Sequence, residues 1–363
     1  MKIGVDYHLV SRNTNSGMGV YVSQIVKAMR SLNKKNEIVI YKGTFLYKKK
    51  LVNIFEKILN VFKEMFWIQI VIPINAFKEK IDILYFPNPP IPFFIRKPSI
   101  LTIPDLSFYY DKSTIFLLKY YLLFIYFFSA HLSKVITTFS VNSKRDIVKI
   151  LGVNPNKIKI VTPAISENIK INTISKLVLK RYRISSPYIL SVVGTFVPRK
   201  NAADLIQMFK ILPKNIQKNL QVVIVGNNND DYFSNFQKLV KKTDLANKII
   251  CTGYVSERDL ISLYSNAKLF VSTSLYEGFG LPPLEAMACE IPVIVYKNSS
   301  MAEVVGNGGV TVDGVLQLSE KVEDLLSNTK LRKKLIKFGL SRAKNYSWYK
   351  SGRNILNIFE ENK

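Results

Sequence analysis

Tyr276-Glu277-Gly278-Phe279-Gly280-Leu281-Pro282-Pro283-Leu284-Glu285-Ala286-Met287-Ala288-Cys289-Glu290-Ile291-Pro292-Val293-Ile294-Val295 decides how this chain is read. The apolar run 268–272 ahead of it predicts a strand, and Gly278-Phe279-Gly280 predicts a tight turn. Pro282 and Pro283 suit the first positions of a helix, where a missing amide proton costs little. The helix is expected over 284–289, stopped before Pro292, with the next strand at Val293–Val295. Strand, glycine turn and helix N-terminus together offer free backbone N–H groups and a positive dipole end, which suits a phosphate or the oxygens of a sugar. An ordinary tight crossover would account for the glycines alone. It does not account for Glu277 and Glu285, because carboxylates in an apolar stretch are costly without partners.

Outward from this stretch, the same alternation of strand and helix recurs. Ahead of it, strands are expected at 188–193, 220–225 and 248–253, with helices at 202–212 and 257–266. Arg199-Lys200 follows the first of these strands, on the sheet edge that also carries Glu277. From there an arginine fork and a lysine point charge can meet an anion. Asp230-Asp231 follows three asparagines and reads as a solvated turn more readily than as a metal pair. Toward the C-terminus a basic helix is expected over 331–344, and Tyr346-Ser347-Trp348 leads into a last helix.

The N-terminal half starts with a strand at Lys2-Ile3-Gly4-Val5-Asp6, which does not read as a charged leader with an apolar run. Asn15-Ser16-Gly17-Met18-Gly19 and the spacing Val22, Ile25, Val26, Met29 then predict a glycine loop and an amphipathic helix. Val22 stands where a third glycine would complete a dinucleotide fingerprint. Further strands are expected at 37–41, 81–86, 98–103, 135–138 and 157–162, with a helix at 142–151. Asp105 follows one of them, at the edge where open α/β sheets hold ligands. The stretch 51–77, introduced by Lys48-Lys49-Lys50, reads as a helix with Lys57 and Lys63 among apolar and aromatic residues. It fits either an interfacial helix or one packed on the core. Residues 115–128 are apolar or aromatic except for Lys119. Fourteen residues are too few to span a bilayer, which takes about 20, so this helix is expected to be largely buried or monotopic. The polar, basic stretch 163–187 reads as the linker between two doubly wound domains facing a cleft, where ligands favour binding.

Length and composition agree with two cores: 363 residues, 48% of them hydrophobic. The formal net charge is +26. Residues 1–186 carry 29 basic and 10 acidic side chains, residues 187–363 carry 23 and 16. Abundant Lys, Ile and Asn can reflect genomic bias, but bias does not explain the asymmetry. The first half is expected to face something anionic, whether membrane lipid, a phosphorylated acceptor or nucleic acid. Two cysteines, Cys251 and Cys289, exclude a disulfide framework and point to a reducing compartment. Two histidines, His8 and His131, cannot build a His-rich metal site.

With these motifs in place, the chain resembles the retaining GT-B glycosyltransferases of the glycosyltransferase 4 family (glycosyl transferases group 1), over essentially its whole length. The resemblance is carried by Glu277-x7-Glu285 with Gly278-Phe279-Gly280-Leu281-Pro282 inside it, and by Gly194-Thr195 through Arg199-Lys200-Asn201. Ser299-Ser300-Met301-Ala302-Glu303, Gly17-Met18-Gly19 and Tyr346-Ser347-Trp348 add to it. It implies that Glu277 binds hydroxyls of the donor sugar and Glu285 the ribose. Thr195 and the backbone of Gly278, Phe279, Gly280 and Leu281 would hold sugar and diphosphate, with Gly17 and Gly19 approaching from the other domain. Arg199 and Lys200 would neutralise the leaving diphosphate, the base would lie near Gly253 and Val255, and no metal or other cofactor would be needed. Three positions depart from the pattern. Pro104 stands before Asp105 where relatives carry His, Thr195 where they carry Arg, and Glu290 where Gly is common. Asp105 or a backbone carbonyl is therefore expected to take over at the first of these.

The resemblance implies domains at 1–168 (acceptor side) and 169–345 (nucleotide-sugar side), with 346–363 crossing back. It implies transfer of a hexose, mannose from GDP-mannose being the best match, to a lipid-linked saccharide of the O-antigen or surface-polysaccharide kind. Nucleic acid is then not the anionic partner. The enzyme would sit peripherally on the inner face of the cytoplasmic membrane, against anionic lipid. A UDP-sugar donor, or a non-catalytic lipid-binding protein of this fold, are the alternatives.

Overall fold

The computed structural model describes residues 1–12, 17–33, 35–43, 54–94, 97–166, 168–169 and 176–362. Two compact α/β units are formed. The first comprises Met1–Leu106, Ile115–Pro163 and the chain from Ser347 onward; the second comprises Ser107–Thr114 and Ala164–Tyr346.

The first unit holds six parallel strands: β1 (Lys2–Asp6), β2 (Glu37–Tyr41), β3 (Ile83–Phe86), β4 (Ser99–Thr102), β5 (Val135–Thr138) and β6 (Ile158–Ile160). Their order is β2-β1-β3-β4-β5-β6. β3, β4 and β5 are buried at every residue. β3 reads as a continuous apolar run, as strands covered by helices on both faces do, whereas β4 and β5 also bury Ser99, Thr102, Thr137 and Thr138. At the end of β1, the carboxylate of Asp6 meets Nδ1 of the buried His8 at 2.8 Å and accepts from Nε1 of Trp67 at 3.3 Å. Burial opposes a charge on His8, but Asp6 and Glu64 outweigh it and raise the imidazole to about 10. The last helix, Trp348–Glu361, starts at Ser347, whose side chain accepts from the backbone N–H of Lys350, and packs on the helix Gly17–Leu32. A Cβ at Gly352 would lie 2.8 Å from that of Ala28, so only glycine lets the two helices approach this closely.

The second unit holds β7 (Tyr188–Gly194), β8 (Gln221–Gly226), β9 (Ile249–Gly253), β10 (Leu269–Ser272), β11 (Val293–Tyr296) and β12 (Val310–Val312). Its order is β12-β11-β10-β7-β8-β9, all parallel. The chain therefore winds one way from β7 and the other way from β10. In such sheets ligands bind beyond the strand C-termini at that switch point, here between β7 and β10.

Several expectations are corrected. The 51–77 stretch is not one helix: it runs as Ile54–Phe66, a π-helical turn Trp67–Val71, and Ile72–Lys78, with Pro73 near the start of the last piece. Residues 51–53, Lys48-Lys49-Lys50 and Asn15-Ser16 lie outside the described residues. Core packing of this stretch is overturned for Phe62, Phe66 and Phe77, which are exposed. The 115–128 run forms the helix Phe116–Leu132, and it is not largely buried. Ile125, Ser129 and Ala130 are buried, whereas Phe116 is 73% and Leu117 79% exposed. The expected linker includes a helix, Lys176–Arg181, and Arg181 Nη1 reaches Asp259 Oδ2 at 2.7 Å. Asp230 is a helix cap, accepting from the backbone N–H of Phe233 at 2.7 Å ahead of the helix Asp231–Lys241. Glu290 occupies a left-handed backbone position (φ 58°) just after the helix that carries Glu285. Glycine adopts this conformation at low cost, which gives its familiar place there a backbone reason.

Candidate functional site

The site is assembled at the switch point of the second unit. After β7 the chain passes through Thr195, which is half-buried, to a 3-10 turn Pro198–Lys200 and a left-handed Asn201. After β10 it passes through 273–280 into the helix Leu281–Ala288. The two loops are laced together. Leu275 N donates to Arg199 O at 2.7 Å, and Thr273 Oγ1 donates to Asn201 O at 2.9 Å. Arg199 Nη1 donates to Tyr276 O at 3.2 Å.

These links bring the charges into contact. Lys200 Nζ lies 2.6 Å from Glu277 Oε1, and Arg199 Nη1 lies 3.6 Å from Glu277 Oε2. All three side chains are a quarter exposed or less. Burial on its own would raise the Glu277 carboxyl. Lys200 and Arg199 outweigh it, with hydrogen bonds from Lys200 and Ser274, and hold the carboxyl below its ordinary value. Glu277 is thus a carboxylate with two cations beside it, able to accept from hydroxyls while the cations attract an anion.

The turn is held from behind by the serine pair. Ser299 Oγ accepts from Glu277 N at 3.1 Å, and Ser300 Oγ donates to the carbonyls of Glu277 (2.7 Å) and Phe279 (2.9 Å). Gly280 has φ 99°, and a Cβ there would sit 3.2 Å from Met301 Cγ, so this turn requires glycine. Phe279 is buried edge-on against Tyr346 at 5.4 Å, and Arg342 lies over the Tyr346 ring at 5.3 Å while donating to the carbonyls of Glu303 and Val304. Leu281 opens the helix, with Pro282 and Pro283 after it, one turn earlier than its expected start.

Glu285, one turn further, accepts from the Tyr264 hydroxyl at 2.8 Å. Burial pushes its carboxyl up to about 7, against the Tyr264 hydrogen bond and with help from the charge of Glu257. Gly253 closes β9 in a left-handed conformation (φ 73°) against Asn228; Val255 is buried, and Tyr254 between them is 77% exposed.

Sequence reasoning missed a second contribution. Ser107–Thr114 lies only a few residues after Asp105 but belongs to the second unit. Tyr110 stacks on Tyr276 (4.6 Å between centroids, 25° between planes), and Asp111 Oδ2 lies 3.8 Å from Arg199 Nε. No local pattern announces this, because the segment is a short polar-aromatic turn flanked by apolar elements. Tyr264, Ser299 and Arg342 likewise reach the site from elements distant in sequence.

The remaining expected residues lie in the first unit. Gly17 begins its helix exposed, with open space where a Cβ would stand, and Gly19 is buried in the same helix. Asp105 lies past the end of β4, half-buried; its charge, after burial, raises the Tyr126 phenol. Pro104 offers its carbonyl to Thr138 Oγ1 at 3.4 Å. Among the described residues no group of three or more His, Cys, Asp or Glu could hold a metal ion.

Known proteins place this site in context. Residues 179–342 match the family described as "Glycosyl transferases group 1". The O-antigen chain mannosyltransferase B of Escherichia coli is 30% identical over 234 residues, 63% of this chain and 61% of that protein. The O-antigen chain mannosyltransferase RfbU of Salmonella typhimurium is 32% identical over 214 residues, 59% of this chain and 56% of that protein. The chain thus spans about three fifths of the length of these curated relatives. The crystal structure of HepE from Anabaena, in complex with UDP and glucose, superposes with a TM-score of 0.74 at 16% identity, over 99% of this chain and 100% of that one. At that identity the likeness concerns the fold, which is GT-B. The loops after β7 and β10, with Arg199, Lys200, Glu277 and Glu285, all fall inside the matched segment, and residues 179–342 are a glycosyl transferases group 1 domain.

Proposed function

We propose that this protein is a retaining glycosyltransferase that moves a hexose from a nucleotide sugar to a saccharide acceptor. The observation that carries this reading is the contact of Lys200 and Arg199 with Glu277 at the switch point of the second sheet, beside the Gly280 turn. When the bond to the diphosphate breaks, negative charge grows on the leaving oxygens. Arg199 and Lys200, prepositioned in a partly dry site, offset that charge as it forms, as do the Leu281 N–H and the dipole of the helix Leu281–Ala288, whose next two residues are prolines without an N–H. Glu277 and the backbone of Gly278, Phe279 and Gly280 hold the sugar, Thr195 flanks the diphosphate, and Glu285 accepts from the ribose with the base toward Gly253 and Val255. No metal is required, since the charge is met by side chains.

The names of the two mannosyltransferases favour mannose as the sugar and an O-antigen type acceptor; GDP-mannose as the donor, a lipid link on the acceptor and work at the inner face of the cytoplasmic membrane complete the proposal. The HepE complex with UDP and glucose motivates the rival, a UDP-sugar donor on the same fold. Turnover of GDP-mannose against UDP-glucose, followed by anomeric NMR of the product, tests this. Turnover of UDP-sugars alone selects the rival, an inverted anomer overturns the retaining reading, and binding of neither donor overturns the enzyme.

Two smaller effects follow. Asp111→Asn removes an anion that competes for Arg199, while Arg199 keeps Glu277 and Tyr276 O. Calorimetry is expected to show nucleoside diphosphate binding about threefold tighter, as suits a partly exposed pair. Glu285 must be ionised to accept from the ribose, yet its carboxyl is raised to about 7. Donor affinity is therefore expected to rise as pH passes upward through that value. Tyr264→Phe deletes a bond that lowers this carboxyl, so it moves the rise to higher pH; an unmoved profile removes Glu285 from the ribose site. The same raised carboxyl gives stability that is complete below the ordinary carboxylate range and is lost as pH climbs through the folded value.

A further inference from the structure

The helix Phe116–Leu132 presents an apolar face to solvent. Leu117, Tyr120, Tyr121, Phe124, Phe127 and Phe128 follow a three-and-four spacing along one side, and each is exposed, from Leu117 at 79% to Phe128 at 39%. The opposite side supplies Ile125, Ser129 and Ala130 to the core. A helix that is apolar all round belongs in a core or in lipid, and here the outer half is covered by neither core nor polar residues.

The surface continues beyond this helix. Phe93 meets Phe128 edge-on at 6.3 Å, and the preceding Ile91 N donates to Ser129 Oγ. Phe93 N in turn donates to Gln69 Oε1 at 2.9 Å, and Gln69 Nε2 donates to Ile91 O at 3.1 Å, which joins this loop to the π-helical turn. Phe94, at the loop tip, is 97% exposed. Past the turn lie Phe62, Phe66, Ile74 and Phe77, exposed by 48% to 81%. Monomeric soluble proteins rarely keep a contiguous apolar surface of this extent uncovered.

Charge identifies the occupant. Residues 115–145 carry four basic residues and no acidic one, and residues 54–78 carry Lys57, Lys63 and Lys78 against Glu56 and Glu64, so the segments that form this surface are net basic. A second copy docked on the same face would bring like charge against like charge, whereas an anionic bilayer surface gains from both the rings and the lysines. Among the described residues no helix is long and apolar enough to cross a membrane, so the face would lie in the headgroup layer.

We propose that Phe116–Leu132, with the Phe93–Phe94 tip and the outward side of Ile54–Lys78, is the surface by which this protein docks on an anionic membrane, inserting its aromatic side chains. The proposal specifies the membrane partner of the proposed function and rests on the reading of the acceptor as membrane-borne.

The full chain is floated with vesicles of phosphatidylcholine alone and of phosphatidylcholine with an equal part of phosphatidylglycerol. Binding is expected to both and to be at least about tenfold stronger to the anionic vesicles. Leu117→Asp/Phe124→Asp, changed only at exposed side chains, is expected to keep its circular dichroism and to lose binding to both by about a hundredfold. Flotation of the wild type with neither vesicle, or undiminished binding by the variant, overturns the proposal. So does a wild-type dimer that the double variant dissociates without any vesicle binding. Donor hydrolysis in detergent-free buffer, measured on both proteins, separates the readings. Intact hydrolysis without flotation defeats the docking alone; absent hydrolysis in a wild type that floats defeats the transferase reading alone.

Discussion

Glu277→Ala is expected to lower kcat/KM for sugar transfer by about a hundredfold or more, the scale of losing one preorganised polar group at a developing charge. Glu277 makes two kinds of contribution on the proposed reading. It accepts from the donor sugar, and it fixes Lys200 at 2.6 Å and Arg199 at 3.6 Å. Without it the cations remain near the diphosphate but lose their common anchor. Binding of the free nucleoside diphosphate is therefore expected to change little, while kcat collapses. The loss belongs to the transition state and not to ground-state affinity. Steady-state kinetics with calorimetry of the diphosphate distinguishes the two. Transfer within twofold of wild type would remove Glu277 from the chemistry altogether.

Lys200→Met is expected to damage both stability and turnover. Removing one partner of a buried ion pair costs about 3–5 kcal/mol. Here Arg199 stays beside Glu277 and the pair is not fully dry, so a loss of about 2 kcal/mol is expected. The pH dependence carries the sharper signature. In the wild type Glu277 is held below its ordinary value, so it contributes stability that is present above that value and disappears as pH falls through the folded one. In the variant only Arg199 and Ser274 oppose burial, so the carboxyl lies higher than in the wild type. The wild type then gains more from ionising Glu277 as pH rises, so the difference in urea midpoint between the two proteins is expected to widen from about pH 4 to about pH 7. A pH-independent difference would mean that Lys200 acts by packing alone. Turnover is expected to fall about a hundredfold with loss of the cation at the leaving diphosphate.

How far such residues can be read from sequence depends on how local their environment is. Glu277, Arg199 and Lys200 were legible because each follows a buried strand in a doubly wound sheet, and the topology alone places the ends of β7 and β10 side by side. Gly280 was legible for the same reason: a turn between a strand and a helix needs a residue that tolerates φ near 99°. Asp230 was misread because its partner is a backbone N–H three residues on, and a helix cap and a solvated turn use the same residue types. The signal that could have separated them is the spacing of Phe233, Phe236 and Val240, which are buried on one side of that helix.

Other features had no local signal. Tyr110 and Asp111 lie a few residues beyond Asp105, yet they belong to the other unit, because the Tyr276 ring and the Arg199 guanidinium are there to receive them. The helix Phe116–Leu132 was expected to be largely buried or monotopic, and the sequence did not choose between the two. A helix that is apolar on every side gives no periodicity from which to tell its inner face from its outer one.

The sequence by itself determined the two doubly wound sheets, the turn at Gly278–Gly280 and the placing of Arg199-Lys200 and Glu277 at one sheet edge, since these follow from apolar runs, glycine and proline chemistry and the alternation of strand and helix. Only the tertiary structure decided which distant groups complete the site, that Glu277 is lowered and Glu285 raised, and that a whole aromatic face is left bare. Those outcomes depend on which side chains meet after folding and how much water they exclude, and no single stretch of sequence encodes either.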